Sequence, residues 1–416
     1  MTGPQTGAPG ALSHLRVLDL TRVLAGPWAT QTLADMGAEV IKIERPDGGD
    51  DTRSWGPPFL RDAQGNATSG TAYHLSANRN KKSIAIDITA PEGQAIIRDL
   101  ARTADVFVEN HKVGAMAKYG LSYDELRAIN PRLVYCAITG FGQSGPYAAR
   151  PGYDFLFQGM SGLMSLTGFA ETPDGSGGPV KSGIAIGDLV GGMYAATAIL
   201  AALEFRNRSG KGQYIDLSLL DCMVSLMSYQ AQSYLLSGKV PKALGNTQPN
   251  LVPYQTFDCR DGKIIIAVGN DSQFASLCAV AGRPDLAADP RYRTVSARRE
   301  NRGAVTADLQ ALLREKAVAE WVDLLTPANV PCGPVYNLEQ VFEDPHVAFR
   351  GIRGELDHYG GGKAPNVGNP IRFSETPVRY THAAPKLGEH TSGVLGEVLN
   401  YDASRLRELF DNGIIA

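Results

Sequence analysis

Short apolar runs alternate with amphipathic and turn-rich stretches through the first third of the chain. Residues 15–20 (LRVLDL) read as a strand and 29–36 as a helix, with Pro27 suited to a first helical turn and Gly37 to the stop behind it. Residues 39–43 (EVIKI) give the next strand, so the opening is a β-α-β unit with parallel strands. A turn-rich loop, 45–52 (RPDGGDDT), follows. Further strands are expected at 82–88, 104–108 and 133–138, with helices at 91–101, 113–119 and 123–129. This alternation predicts an α/β fold with a doubly wound sheet.

The middle of the chain reads differently. Residues 185–203 form a long apolar helix with Gly187, Gly191, Gly192, Ala195, Ala196 and Ala198 spread over several faces, which lets another backbone come close. A basic turn at 209–213 leads to a strand at 214–218 and a second long helix at 219–236. Residues 238–253 are rich in Gly, Pro and Asn and read as a linker. A hairpin half at 261–268 opens on Asp261-Gly262, and helices are expected at 271–281, 299–312 and 318–325. The pattern divides the chain into a flexible tail (1–14), a large domain (15–225), a smaller domain with its linkers (226–330), and a C-terminal part (331–416) that returns to the large domain.

Composition narrows the function. With 43% hydrophobic and 20% charged residues the chain matches globular averages rather than a long disordered protein. Forty Lys+Arg against 43 Asp+Glu argues against a nucleic-acid binder with a broad basic surface. The five cysteines, Cys136, Cys222, Cys259, Cys278 and Cys332, make no C-x-x-C pair and suit reduced thiols in the cytoplasm. Seven histidines show no ligand spacing, so no metal is expected. Residues 1–13 lack both the apolar core of a secretory signal and the arginines of a mitochondrial leader. No uncharged run reaches about 18 residues, so no membrane-spanning helix is expected.

Candidate chemistry is sparse but pointed. The first β-α turn, TRVLAGP, is not G-x-G-x-x-G, which speaks against an ordinary NAD site, although the crevice beyond the strand ends stays the default ligand site. Glu44-Arg45 closes the second strand. A carboxylate there suits a ribose hydroxyl and an arginine a ribose phosphate; a surface ion pair explains the two equally well. Gly210-Lys211-Gly212 sits between helix and strand and so reads as a turn, not a phosphate loop. Arg79, Lys81 and Lys82 form a basic cluster whose ordinary explanation is a solvated face. Asp188, in SGIAIGDLVGG, is a lone carboxylate in an apolar, glycine-rich setting near a helix start. It is either the helix N-cap or a nucleophile, with free N–H groups nearby to hold an oxyanion.

The segments LDLTRVLAGP, GAEVIKIERP, NRNKKSIAID, DVFVEN, GFGQSGP, GDLVGG and PKLGEHT, in this order, resemble the family III CoA-transferases. The resemblance runs from about Leu15 to the C-terminus. It implies a Rossmann-like large domain, a smaller α/β domain and an interlocked homodimer. It implies Asp188 as nucleophile, CoA-thioester substrates and no permanently bound cofactor. Val23, Leu24, Arg45, Ile86, Asn110, Ala115 and Lys118 match the CoA-contacting positions, and Tyr153, beside Asp154, the position facing the acyl group. Related α-methylacyl-CoA racemases carry a His where Tyr153 stands, and tyrosine is a poor base at neutral pH, which counts against that alternative. A non-catalytic CoA-binding protein is the other alternative. The loop 244–253 lacks the glycine-rich run of formyl-CoA transferases. DDTRSWGPPF, which contains Arg53 and Trp55, and VPYQTF are closest in look to the succinyl-CoA:glutarate branch. A dicarboxylate acceptor calls for a guanidinium at its distal end; Arg79 is the first choice, with Arg22 and Arg53 behind it, each against the reading of a loop-holding ion pair.

Overall fold

The computed structural model describes residues 9–172 and 176–416, which fall into two compact units. One holds the chain as far as Leu163, then Ser182–Leu236 and Ala348–Ala416; the other holds Met164–Lys181 and Ser237–Val347.

The first unit is built on six parallel strands in the order Lys81–Ala85, Glu39–Glu44, Arg16–Leu20, Val106–Glu109, Val134–Thr139, Tyr214–Ser218. Ranked by position along the chain this is 3-2-1-4-5-6, the doubly wound arrangement expected from the alternation of elements. Strand periodicity sorts the core into two layers. Val17, Val40, Val106 and Val134 face helices Ala25–Asp35 and Ile186–Ser209; Leu18, Ile41, Phe107 and Tyr135 face Pro91–Ala101 and the C-terminal helices Thr391–Leu399 and Ala403–Asp411. The C-terminal segment also reaches the sheet edge, where Ile415 bridges Ile86.

The helix Ile186–Ser209 is long and apolar enough to cross a membrane. Here it buries Ala195, Ala196, Ile199, Ala202 and Leu203 in the core. Gly192 makes that approach possible, because a Cβ there would stand 2.6 Å from the Ala25 carbonyl oxygen.

Two expected helices are interrupted. The stretch 219–236 is two helices, Leu219–Leu226 and Ser228–Ser237, broken where Ser228 adopts φ +46°. Likewise 299–312 is Val295–Glu300 and Arg302–Leu313, separated at Asn301. One hairpin escaped the periodicity, Phe59–Arg61 with Ala67–Thr71; a second, Arg353–Asp357 with Lys363–Val367, supplies the short strands expected after residue 335. Their strands are short and largely exposed, so little alternation is written into them.

The second unit has a three-stranded antiparallel sheet, Cys332–Pro334, Lys263–Ala267, Tyr254–Asp258, over a core of Phe257, Ile264, Phe274, Trp321 and Leu325. Arg298 is buried in it, donating to the carbonyls of Val252 (2.7 Å) and Tyr292 (2.8 Å) and pairing with Asp271 at 2.9 Å.

Candidate active site

The strand order reverses between Arg16–Leu20 and Val106–Glu109, and the loops leaving their C-terminal ends form the expected crevice. A buried ionic lattice anchors the first loop. Lys42 is fully buried; its Nζ donates to the Thr21 carbonyl (2.8 Å) and pairs with Asp50 (2.9 Å). Asp50 in turn accepts the Val23 N–H at 3.2 Å. Val23 sits at φ +70°, a left-handed conformation that a β-branched residue adopts only when its surroundings impose it. Asn110, from the second loop, grips Arg22 twice: its Oδ1 accepts the Arg22 N–H (3.0 Å) and its Nδ2 donates to the Arg22 carbonyl (2.8 Å).

Asp188 enters from the third side. It is not the N-cap: Ala185 takes that position and offers no side-chain bond, and Asp188 is the third helical residue. The cap comes from another element. Asp154 Oδ1 accepts from the N–H groups of Gly187 (2.6 Å) and Asp188 (3.3 Å), while Gln158 Nε2 donates to Asp154 Oδ2 at 2.6 Å. Only a glycine at 187 leaves room, since a Cβ would stand 2.8 Å from that Oδ1. These N–H groups are therefore occupied rather than free for an oxyanion. Among the described residues nothing donates to the Asp188 carboxylate. Burial, with the Asp154 charge adding to it, pushes its pKa up to about 7.

A cavity of ≈ 310 Å³ brings Asp188 together with Val23, Leu24, Asn110, Arg22 and Tyr153. A smaller cleft of ≈ 130 Å³ holds Arg45 and Ile86; both hollows share Arg22 and His111. Ala115 and Lys118 line neither. Their short helix, Ala115–Lys118, borders a neighbouring cavity that meets the first at Lys112. Trp55 also lies outside these hollows, edge-on to Tyr73 at 5.4 Å.

Arg79, the first choice for the distal carboxylate, and Arg53 behind it are both spent on buried ion pairs, as the loop-holding reading has it. Arg79 is buried; it chelates Asp35 at 2.9 and 2.5 Å, donates to the Val367 carbonyl and lies over the Tyr380 ring. Arg53 is buried and grips both oxygens of Glu44, at 2.8 and 2.7 Å. That also corrects the ribose reading of Glu44. Its oxygens are already taken by Arg53, Ser83 Oγ (2.7 Å) and the Asp50 N–H (2.9 Å). Burial works to raise its pKa, but Arg53 overrides it and the pKa falls to about 2. Arg45 stays exposed, 2.9 Å from Asp51, and Arg22 reaches the same Asp51 at 3.3 Å.

Among the residues of the Asp188 cavity that sequence reasoning passed over are Asp51, His111, Lys112, Thr139 and Arg150. Thr139 Oγ1 is buried there without a hydrogen-bond partner. Among the described residues no cluster of His, Cys, Asp and Glu is placed to hold a metal.

The chain is similar over most of its length to known CoA-transferases. A succinate–glutarate CoA-transferase of Agrobacterium fabrum is 50% identical, covering 93% of this chain and 95% of its own. The human succinyl-CoA:glutarate CoA-transferase is 42% identical over 97% of this chain and 90% of its own. A succinyl-CoA:mesaconate CoA-transferase of Haloarcula hispanica is 40% identical over 93% and 96%. A crystal structure of a CAIB/BAIF family protein from Brucella suis superposes with a TM-score of 0.83 at 46% identity, over 94% of this chain and 100% of that one. The family model described as CoA-transferase family III matches residues 12–391, so this chain belongs to the family III CoA-transferases.

Proposed function

We propose that the enzyme moves CoA from succinyl-CoA to glutarate or a similar short dicarboxylate, with Asp188 as nucleophile. The observation that carries this is the unbonded Asp188 carboxylate in the cavity it shares with Val23, Leu24 and Asn110. The names of the relatives support the substrate class.

The ionised Asp188 attacks the thioester carbonyl of succinyl-CoA. The C–S bond breaks, leaving a succinyl-aspartyl anhydride and CoA thiolate. The thiolate attacks the aspartyl carbonyl, expels succinate and forms an aspartyl-CoA thioester. A glutarate carboxylate then attacks that carbonyl and releases the thiolate, which takes the glutaryl group and regenerates Asp188. A carboxylate is a weak nucleophile, so position and desolvation supply the activation. The loops hold their shape through Lys42, Asp50 and Asn110, and the anhydride survives only if the bound substrates keep water from it.

Asp188→Ala should abolish transfer and leave the fold intact; hydroxylamine added during turnover should leave a hydroxamate on Asp188, read by peptide mass. Full activity of the variant sinks the mechanism. A panel of acids with succinyl-CoA (glutarate, itaconate, mesaconate, malate, oxalate) should rank glutarate or a close analogue first.

The enzyme is further inferred to act in the cytoplasm as an interlocked homodimer. Supporting the homodimer, an apolar hollow of ≈ 590 Å³ is lined by Trp28, Leu189, Val190, Met193 and Tyr194, and the last two are each 44% exposed. Light scattering should give twice the 44.4 kDa chain mass; a monomer overturns the dimer.

A further inference from the structure

The reaction proposed above leaves a charge problem. Glutarate or succinate brings two carboxylates towards a cavity that already holds Asp188. One carboxyl group reacts; the other needs a counter-charge inside a site from which water is being excluded.

The charged and titratable groups lining the cavity answer unequally. Arg22 is tied to Asp51. His111 is held neutral, its pKa pushed down to about 4 by burial and by the neighbouring Arg22 charge. Lys112, exposed like Arg150, is shared with the adjoining cavity and is a point charge on a flexible stem. Arg150 differs from all of these. No carboxylate among the described residues pairs with it, and its guanidinium rests over the Tyr147 ring at 4.5 Å and the Phe141 ring at 5.3 Å. Phe141 is itself braced edge-on by Tyr147 and Phe157, both within 5.6 Å. An aromatic seat fixes the plane of a guanidinium and leaves its N–H fork open, the geometry that takes a carboxylate through two parallel bonds.

We propose that Arg150 binds the distal carboxylate of both the succinyl donor and the dicarboxylate acceptor, and so sets the enzyme's preference for dicarboxylates. One guanidinium serves both half-reactions because the two substrates present the same remote group in turn. Arg150 lines the same cavity as Asp188, three residues before Tyr153 and four before Asp154, whose Oδ1 accepts the Asp188 N–H at 3.3 Å.

The inference rests on dicarboxylate transfer, and the test separates the two. In a double-displacement reaction kcat/KM for the acceptor reports only the second half-reaction, so a common donor cancels. With succinyl-CoA as donor, kcat/KM is measured for glutarate and for pentanoate, the same chain without the distal carboxylate. Arg150→Met should lower the value for glutarate about 100-fold and leave pentanoate within about threefold. Arg150→Lys keeps the charge without the fork and should recover about tenfold of that loss. Pentanoate turnover and the melting temperature report that the variants are folded. An equal fall for both acids, or an unchanged glutarate preference, overturns the role of Arg150 alone. A wild-type enzyme that transfers CoA to neither acid overturns the dicarboxylate reading as well.

Discussion

Asp188 is ionised only at a cost to the fold. Its pKa rises from 3.8 to about 7, so the folded state holds this proton more tightly than the unfolded chain does. A raised carboxylate pKa weakens stability progressively as pH climbs above the unfolded value, with the full cost reached once pH passes about 7. Asp188→Asn should therefore raise the melting temperature at about pH 8 and leave it unchanged at about pH 4. In the proposed reaction Asp188 attacks as the carboxylate and is protonated on the acid side, so the rate of thiol release from succinyl-CoA should fall as pH drops through about 7. A profile flat down to about pH 5 contradicts that. The sequence made Asp188 conspicuous because nothing else charged shares its glycine-rich stretch. It could not reveal that Asp154, 34 residues earlier, does the capping, because a contact at that separation leaves no spacing signature. Arg150 was hidden for a related reason: an exposed loop arginine becomes distinctive only once Tyr147 and Phe141 are seen beneath it.

At the level of elements, the long helix Ile186–Ser209 depends on a carboxylate lent by the helix Asp154–Met160. Asp154→Ala orphans the Gly187 N–H and removes the acceptor of Gln158, which should cost about 1–3 kcal/mol in denaturant titrations. It also removes the like charge beside Asp188, so the acid limb of the rate profile should move to lower pH. Arg79 belongs to this scale too. Arg79→Met leaves Asp35 buried without its partner, and about 3–5 kcal/mol of stability should go with it while the choice between glutarate and pentanoate stays as it was. The parallel strands were readable in advance because each is an apolar run bounded by turn residues. The breaks at Ser228 and Asn301 were not, since apolar periodicity runs through them, and the basic cluster around Arg79 gave no hint of Asp35, which lies 44 residues away.

Across the molecule, the first unit buries four ion pairs: Lys81 with Asp19, Lys42 with Asp50, Arg53 with Glu44 and Arg79 with Asp35. Glu44 shows the consequence for acid. Its folded pKa of about 2 lies below the reference 4.5, so the stability it contributes is complete above 4.5 and disappears as pH falls towards 2. Melting temperatures recorded by circular dichroism should fall steeply below about pH 4, and Glu44→Gln, though less stable at neutral pH, should flatten that slope. The doubly wound sheet was legible from the alternation of helix and strand alone. The ionic floor beneath it was not, because its partners come from distant segments. Val23 turns that floor into a statement about time. Its left-handed backbone is fixed by Asp50 and Lys42, so the loop proposed to meet CoA is already in one shape before any encounter. Capture then needs no slow rearrangement of that loop, and the observed rate in a stopped-flow mixing experiment should rise linearly with CoA concentration instead of levelling off.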